Sequence, residues 1–259
     1  MKPSLRRLTL DQLHIADERS FRHVGLYEKL HAILVRDGYR FRVPPAGEVI
    51  PWDDALFLNL TFWDPSEAGD VLVSDRLPAD TVMHVAWHHA ASRALPVAKG
   101  TRPSVDALFL AESIASAFDL YLVGRLIGHA PESEFLESQV PAMADVAEAA
   151  GVDAEAFEAL LHALSDEPER AFEDLRGLLF DAATTCVRCT GIDDANAALE
   201  SLRKRRFGPL IHHYALSNWV LYGRAHGDLA RDERVREIDA ALRAAPDSLA
   251  WLEREWLGA

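Results

Sequence analysis

The run Leu108–Val123 is almost wholly apolar, yet Glu112 sits within it. Ser104 is a plausible N-cap and Gly128 a plausible stop, so the spacing predicts a helix from Ser104 to Ile127. An acid amid so many apolar residues is not a solvated surface charge. Whatever this chain folds into must give Glu112 a partner. The preceding stretch, Asp80 to Leu95, also reads as a helix and carries His84 and His88. Residues four apart point the same way from a helix, about 40° apart in phase. His89 is about 100° round from His88 and falls off that face. Two imidazoles and one carboxylate from the neighbouring helix complete a three-ligand site with open positions. A cation would supply a partner to all three buried groups. The competing reading is of core or interface histidines bonded to backbone.

Ser116 and Asp119 lie four and seven residues beyond Glu112, on its face of the helix. Asp119 is placed to accept the free ring N–H of a ligating histidine and so fix its tautomer, with Ser116 beside it. The alternative for Asp119 is a contact at the helix surface. Trp87 lies between the paired histidines and either walls a pocket or packs in the core. Farther on, His212, His213 and Tyr214 open a predicted helix after Pro209 and are candidates for substrate binding or carbonyl polarisation, or else amphipathic packing. His89 joins Trp87 and these three as a catalytic or substrate-binding candidate.

Taken in order, the chain begins with a helix predicted from Thr9 to about Arg36, stopped at Asp37-Gly38. Strands are predicted at Tyr39–Val43, Leu56–Trp63 and Val71–Ser74, with a turn from Pro44 to Gly47. Beyond Gly128 only helices are expected, near 141–150, 153–164, 167–183, 193–204, 208–225, 232–244 and 247–257. The fold class is α+β, mostly helical, with a small N-terminal β-sheet packed on the two metal-bearing helices. Residues 1–130 form the mixed region with the site and 131–259 a helical region, or the two make one continuous domain.

Composition narrows the function. With 41 acidic against 27 basic side chains the net charge is −14, which opposes a phosphate backbone, so no nucleic-acid partner is expected. The start shows no signal peptide, and no run of about 18 apolar residues suggests a membrane span. The expected compartment is the cytoplasm. Cys186 and Cys189 form a lone C-x-x-C without a second ligand pair and read as two reduced thiols. Arg203–Arg206 is a basic run, read as a solvated helix end, with phosphate or carboxylate binding as the lesser alternative.

Histidines at this spacing, with a short strand before them and a glutamate on the next helix, resemble the gluzincin branch of zinc metallopeptidases. His84-Val-Ala-Trp-His88 matches both histidines of the His-Glu-x-x-His motif, and Glu112, 24 residues beyond His88, matches the third ligand. The likeness covers roughly residues 55–127. It implies that Val71–Ser74 is an edge strand for extended peptides. In that family the residue after the first histidine is a glutamate that activates metal-bound water. Here it is Val85, which cannot accept a proton, so the family's mechanism does not transfer.

Three functions follow. One is a non-haem Fe(II) oxidoreductase of the oxygenase type, whose 2-His-1-carboxylate centre needs no base beside the first histidine. Another is a divergent zinc hydrolase with its base elsewhere. The third is an inactive gluzincin-like binding protein. The expected cofactor is one divalent ion, Fe(II) or Zn(II), and the expected partner a peptide or small metabolite.

Overall fold

The computed structural model describes residues 5–45, 70–72 and 74–258. Two small two-stranded sheets lie at the N-terminal side and helices make up the rest. The expected α+β class, mostly helical, is what the chain adopts.

The N-terminal segment departs from the single long helix expected over residues 9–36. It forms β1 (Arg6–Thr9), a 3-10 turn (Leu10–Gln12), β2 (His14–Ala16), α1 (Glu18–Phe21) and α2 (Tyr27–Arg36). Thr9 does cap, but only the 3-10 turn, where its backbone N–H donates to Gln12 Oε1 at 3.0 Å. Asp17 adopts a left-handed conformation, φ 56°, which a continuing helix does not allow. Phe21, Val24 and Tyr27 are buried as the helical period suggested. They reach the core from short helices and the turn between them.

β3 (Arg40–Val43) pairs antiparallel with β1, in the register Leu8↔Phe41. Of the third expected strand, Val71–Ser74, the described residues show a bridge between Val71 and Arg42, and Val73 lies outside them. Leu56–Trp63 and part of the Pro44–Gly47 turn lie outside the described residues. β4 (Arg76–Pro78), which the sequence did not announce, pairs parallel with β2.

α3 (Ala79–Ala94) and α4 (Val105–Ile127) follow. Ser104 Oγ accepts from Ala107 N at 3.1 Å, the predicted cap. α4 is the axis of the fold, packed along α3, α6 (Ala154–Asp166) and, most extensively, α7 (Pro168–Cys186). Gly124 lets α4 approach α6, because a Cβ there would stand 2.4 Å from Leu164 O. Contrary to the expectation of no bilayer-length run, α4 is long and apolar enough to cross a membrane. Within the fold, 72% of that stretch is buried.

α5 (Glu134–Ala149) starts about two turns earlier than expected and runs through Pro141. α8 (Ile192–Leu202) and α10 (Glu233–Ala244) fall close to their expected bounds. The expected helix over 208–225 divides into a 3-10 turn, Gly208–Leu210, and α9 (His213–His226). The last helix divides into α11 (Ser248–Leu252) and a π-turn, Glu253–Leu257. The buried apolar side chains form one contiguous core, drawing on Leu10 at one end of the chain and Leu257 at the other.

Candidate metal centre

Two helices set the geometry of the site. On α3 the apolar side chains of Val82, Met83, Val85, Ala86 and Trp87 go into the core. Asp80, His84 and His88, at i, i+4 and i+8, form a partly accessible stripe on another face. On α4, Glu112 is buried and Asp119 half-buried, each about one turn from Ser116. His88 faces Glu112 and His84 faces Asp119, so the two helices pass in opposite directions.

His84 Nε2 and His88 Nε2 are 3.3 Å apart, and His88 Nε2 is 3.4 Å from Glu112 Oε1. The three donor atoms all lie within 4.8 Å of one another. Four ligands held tetrahedrally at about 2.0–2.1 Å stand about 3.3–3.4 Å apart, so two of the three edges already have the length a shared ion requires. Among the described residues the Glu112 carboxylate meets His88 Nε2.

His84 Nδ1 donates to Asp119 Oδ2 at 3.0 Å. This carboxylate fixes the ring and leaves Nε2 for the centre. Ser116 lies on the same face of α4, half-buried, between the levels of Glu112 and Asp119.

The three groups perturb one another's protonation. Burial opposes a charge on His84, but Asp119, Glu112 and Asp70 together push its pKa up to about 9. Burial and the neighbouring His84 drive His88 well below the usual imidazole range. Burial raises Glu112 to about 7; His84 opposes the rise and Asp119 and Asp70 add to it. Metal-free, then, His84 carries the proton between the two facing Nε2 atoms, and His88 is neutral. A divalent ion would take the place of that proton. Burial and the nearby Asp119 also raise Asp80, to about 6.

The other candidates lie elsewhere. His89 Nε2 donates to Asp37 Oδ2 at 2.8 Å, a carboxylate that Arg93 also holds at 3.0 Å. Trp87 is fully buried, edge-on to Phe118 at 5.5 Å, and its indole N–H has no acceptor among the described residues. It is a core residue and does not wall an open pocket. His212 caps α9, accepting from Ala215 N at 3.2 Å, and His213 begins that helix. Tyr214 is exposed to 72% and its ring stands against His212. No contact joins these three to the His84, His88 and Glu112 cluster among the described residues. Cys186 is buried at the end of α7, and Arg224 ties down the turn by binding the carbonyls of Cys186 and Val187. Arg203, Arg205 and Arg206 pair with Glu200, Asp181 and Asp174 at 3.2, 2.6 and 3.0 Å, so the basic run is largely engaged within the fold.

Two acids were not singled out for the site from sequence. Asp80 stands at the start of the predicted helix, where an acid is favoured without any ligand. Asp70, 7% exposed, accepts from Tyr39 O–H at 2.6 Å and acts on both His84 and Glu112. Tyr39 is 31 residues from Asp70, and no local pattern announces the pair.

The chain matches no protein-family model, no curated protein and no solved structure.

Proposed function

We propose that this protein binds one divalent metal ion through His84, His88 and Glu112 and is a metal-dependent enzyme acting on a peptide or small metabolite. The observation that carries the reading is the convergence of three donor atoms with edges of 3.3 and 3.4 Å. Asp119 behind His84 supports it, since ligating imidazoles commonly donate their second ring N–H to a carboxylate. Two histidines and one carboxylate suit Fe(II), with open positions for O₂ and substrate, so oxygenase-type chemistry is the first assignment. When bound, the ion would supply redox or Lewis-acid chemistry. The chain's own groups hold it, orient His84 and exclude water on the core side through Val85 and Trp87.

A zinc hydrolase is the second assignment. It is favoured by the carboxylates that surround His84, which offer proton acceptors where Val85 offers none. Its ligand order, His84-x-x-x-His88 followed by Glu112, is that of gluzincins.

Elemental analysis of protein purified without added metal tests the assignment. About one iron per chain, with substrate-dependent O₂ consumption, supports the first reading, and about one zinc the second. Protein that holds neither, and takes up neither when offered, refutes both and leaves a binding protein.

A further inference from the structure

Cys186 and Cys189 are the chain's two cysteines, and both are free thiols. Cys186 is the last residue of α7, and Cys189 follows in the turn that ends it. Two contacts bring them together. Cys189 N donates to Cys186 O at 3.2 Å, which closes a turn with a cysteine at each end. Such a turn holds its end Cα atoms within about 7 Å, and a disulfide spans Cα atoms roughly 4.4–6.8 Å apart. The Cys189 thiol donates to Thr185 O at 3.5 Å, so its sulfur lies against the peptide unit that leads into Cys186. In keeping with this, the Cys186 thiol is pushed up by burial and then by the Cys189 thiol, with Arg224 opposing the rise.

Arg224, on α9, holds the turn from outside. Its Nε–H donates to Val187 O at 3.0 Å, and Nη2 donates to Cys186 O at 3.2 Å and to Cys189 O. Carbonyls at the end of a helix lack partners within it. A guanidinium across three of them caps α7 and fixes the backbone at both cysteines. Closing a sulfur bridge there needs little further ordering of the chain. The two thiols differ in access. Cys186 is 7% exposed, whereas Cys189 is partly open to solvent. A small oxidant therefore meets Cys189 first, and Cys186 is placed to resolve the product.

We propose that Cys186 and Cys189 form a thiol–disulfide site, closed reversibly by small disulfides of the glutathione class, with Arg224 as its positioning residue. The Cys189 thiolate attacks one sulfur of the oxidant, breaks its S–S bond and releases one thiolate. The Cys186 thiolate then attacks Cys189 Sγ, forms the bridge and expels the second thiolate. Two electrons pass from the cysteine pair to the oxidant, and the two cysteine protons end on the two released thiols.

The test equilibrates the whole protein with mixtures of reduced and oxidised glutathione and quenches in acid. The remaining thiols are then alkylated after unfolding, and the added groups are counted by mass spectrometry. The wild type is expected to pass from two alkyl groups to none as the mixture becomes oxidising, while staying one chain. Cys186→Ser should stop at a mixed disulfide on Cys189, and Cys189→Ser should keep its buried thiol reduced. Arg224→Ala should need a mixture about tenfold more oxidising to close half of the bridges, because the loosened turn has more freedom to lose. Arg224→Lys keeps the charge without the fork and should shift less in the same direction; it carries this arm if Arg224→Ala does not fold. Wild-type protein that keeps two alkylatable thiols in the most oxidising mixture, stops at a mixed disulfide or bridges two chains overturns the proposal. An unchanged midpoint in a folded Arg224 variant overturns the positioning role.

Discussion

Metal binding by this centre must compete with protons, and the structure sets how strongly. The perturbation is pH. His84 has a pKa of about 9 in the metal-free protein and Glu112 of about 7, while His88 is already neutral. An ion needs all three groups deprotonated. At pH 7 His84 holds its proton about a hundredfold in excess, a penalty of about 2.7 kcal/mol, and Glu112 adds a factor of about two. Between pH 7 and 9 only His84 is still losing its proton, so affinity should rise about tenfold per unit. Below pH 7 both groups are protonated, and affinity should fall about a hundredfold per unit. The assay is competition with a chromophoric chelator from pH 6 to 9. Calorimetry in buffers of different ionisation enthalpy should give about 1.5 protons released per ion at pH 7. A dissociation constant flat across this range, or no proton release, would refute the reasoning.

Three further outcomes are expected. Asp119→Asn removes the carboxylate behind His84 and should weaken metal binding by about tenfold to a hundredfold, whereas Ser116→Ala should leave it nearly unchanged; equal effects would remove the special place of Asp119. Chelation should lower the melting temperature by roughly 5–10 °C if the ion is present at about a hundred times its dissociation constant, since that contributes about 2.7 kcal/mol. Superimposable melting curves before and after verified metal removal would contradict it. Gly124→Ala should destabilise the fold by about 1–3 kcal/mol in urea unfolding, despite alanine's better helix propensity, because the new methyl meets Leu164 O at 2.4 Å; unchanged or higher stability would show that α4 and α6 can move apart freely.

Much of the site was legible because two independent signals coincide. Helical phase puts His84 and His88 together, and the apolar surroundings of Glu112 demand a partner for it. Both are local properties, and α3 and α4 begin and end within one residue of the predicted bounds. The first helix was misread for a physical reason. Leu13, Phe21, Val24 and Tyr27 lie in or against one core while belonging to different segments, so their spacing imitates a single helix. The parallel pairing of β2 with β4 joins residues 62 apart, as in His14↔Arg76, and leaves no mark in either segment alone. Asp70 escaped notice for the same reason, since its meaning depends on Tyr39. For Trp87, His212, His213 and Tyr214, residue type and place along a helix do not distinguish a buried indole or a helix cap from a ligand.

The central claim is that His84, His88 and Glu112 act together on one ion. Cobalt(II) stoichiometry, measured by elemental analysis after reconstitution and desalting, tests it most directly. The account predicts one cobalt per chain in the wild type and in His89→Ala, whose ring is directed at Asp37, and little or none in folded His84→Ala, His88→Ala and Glu112→Ala. Wild-type protein that takes up no cobalt, or a site emptied by His89→Ala but kept by His84→Ala, would contradict it.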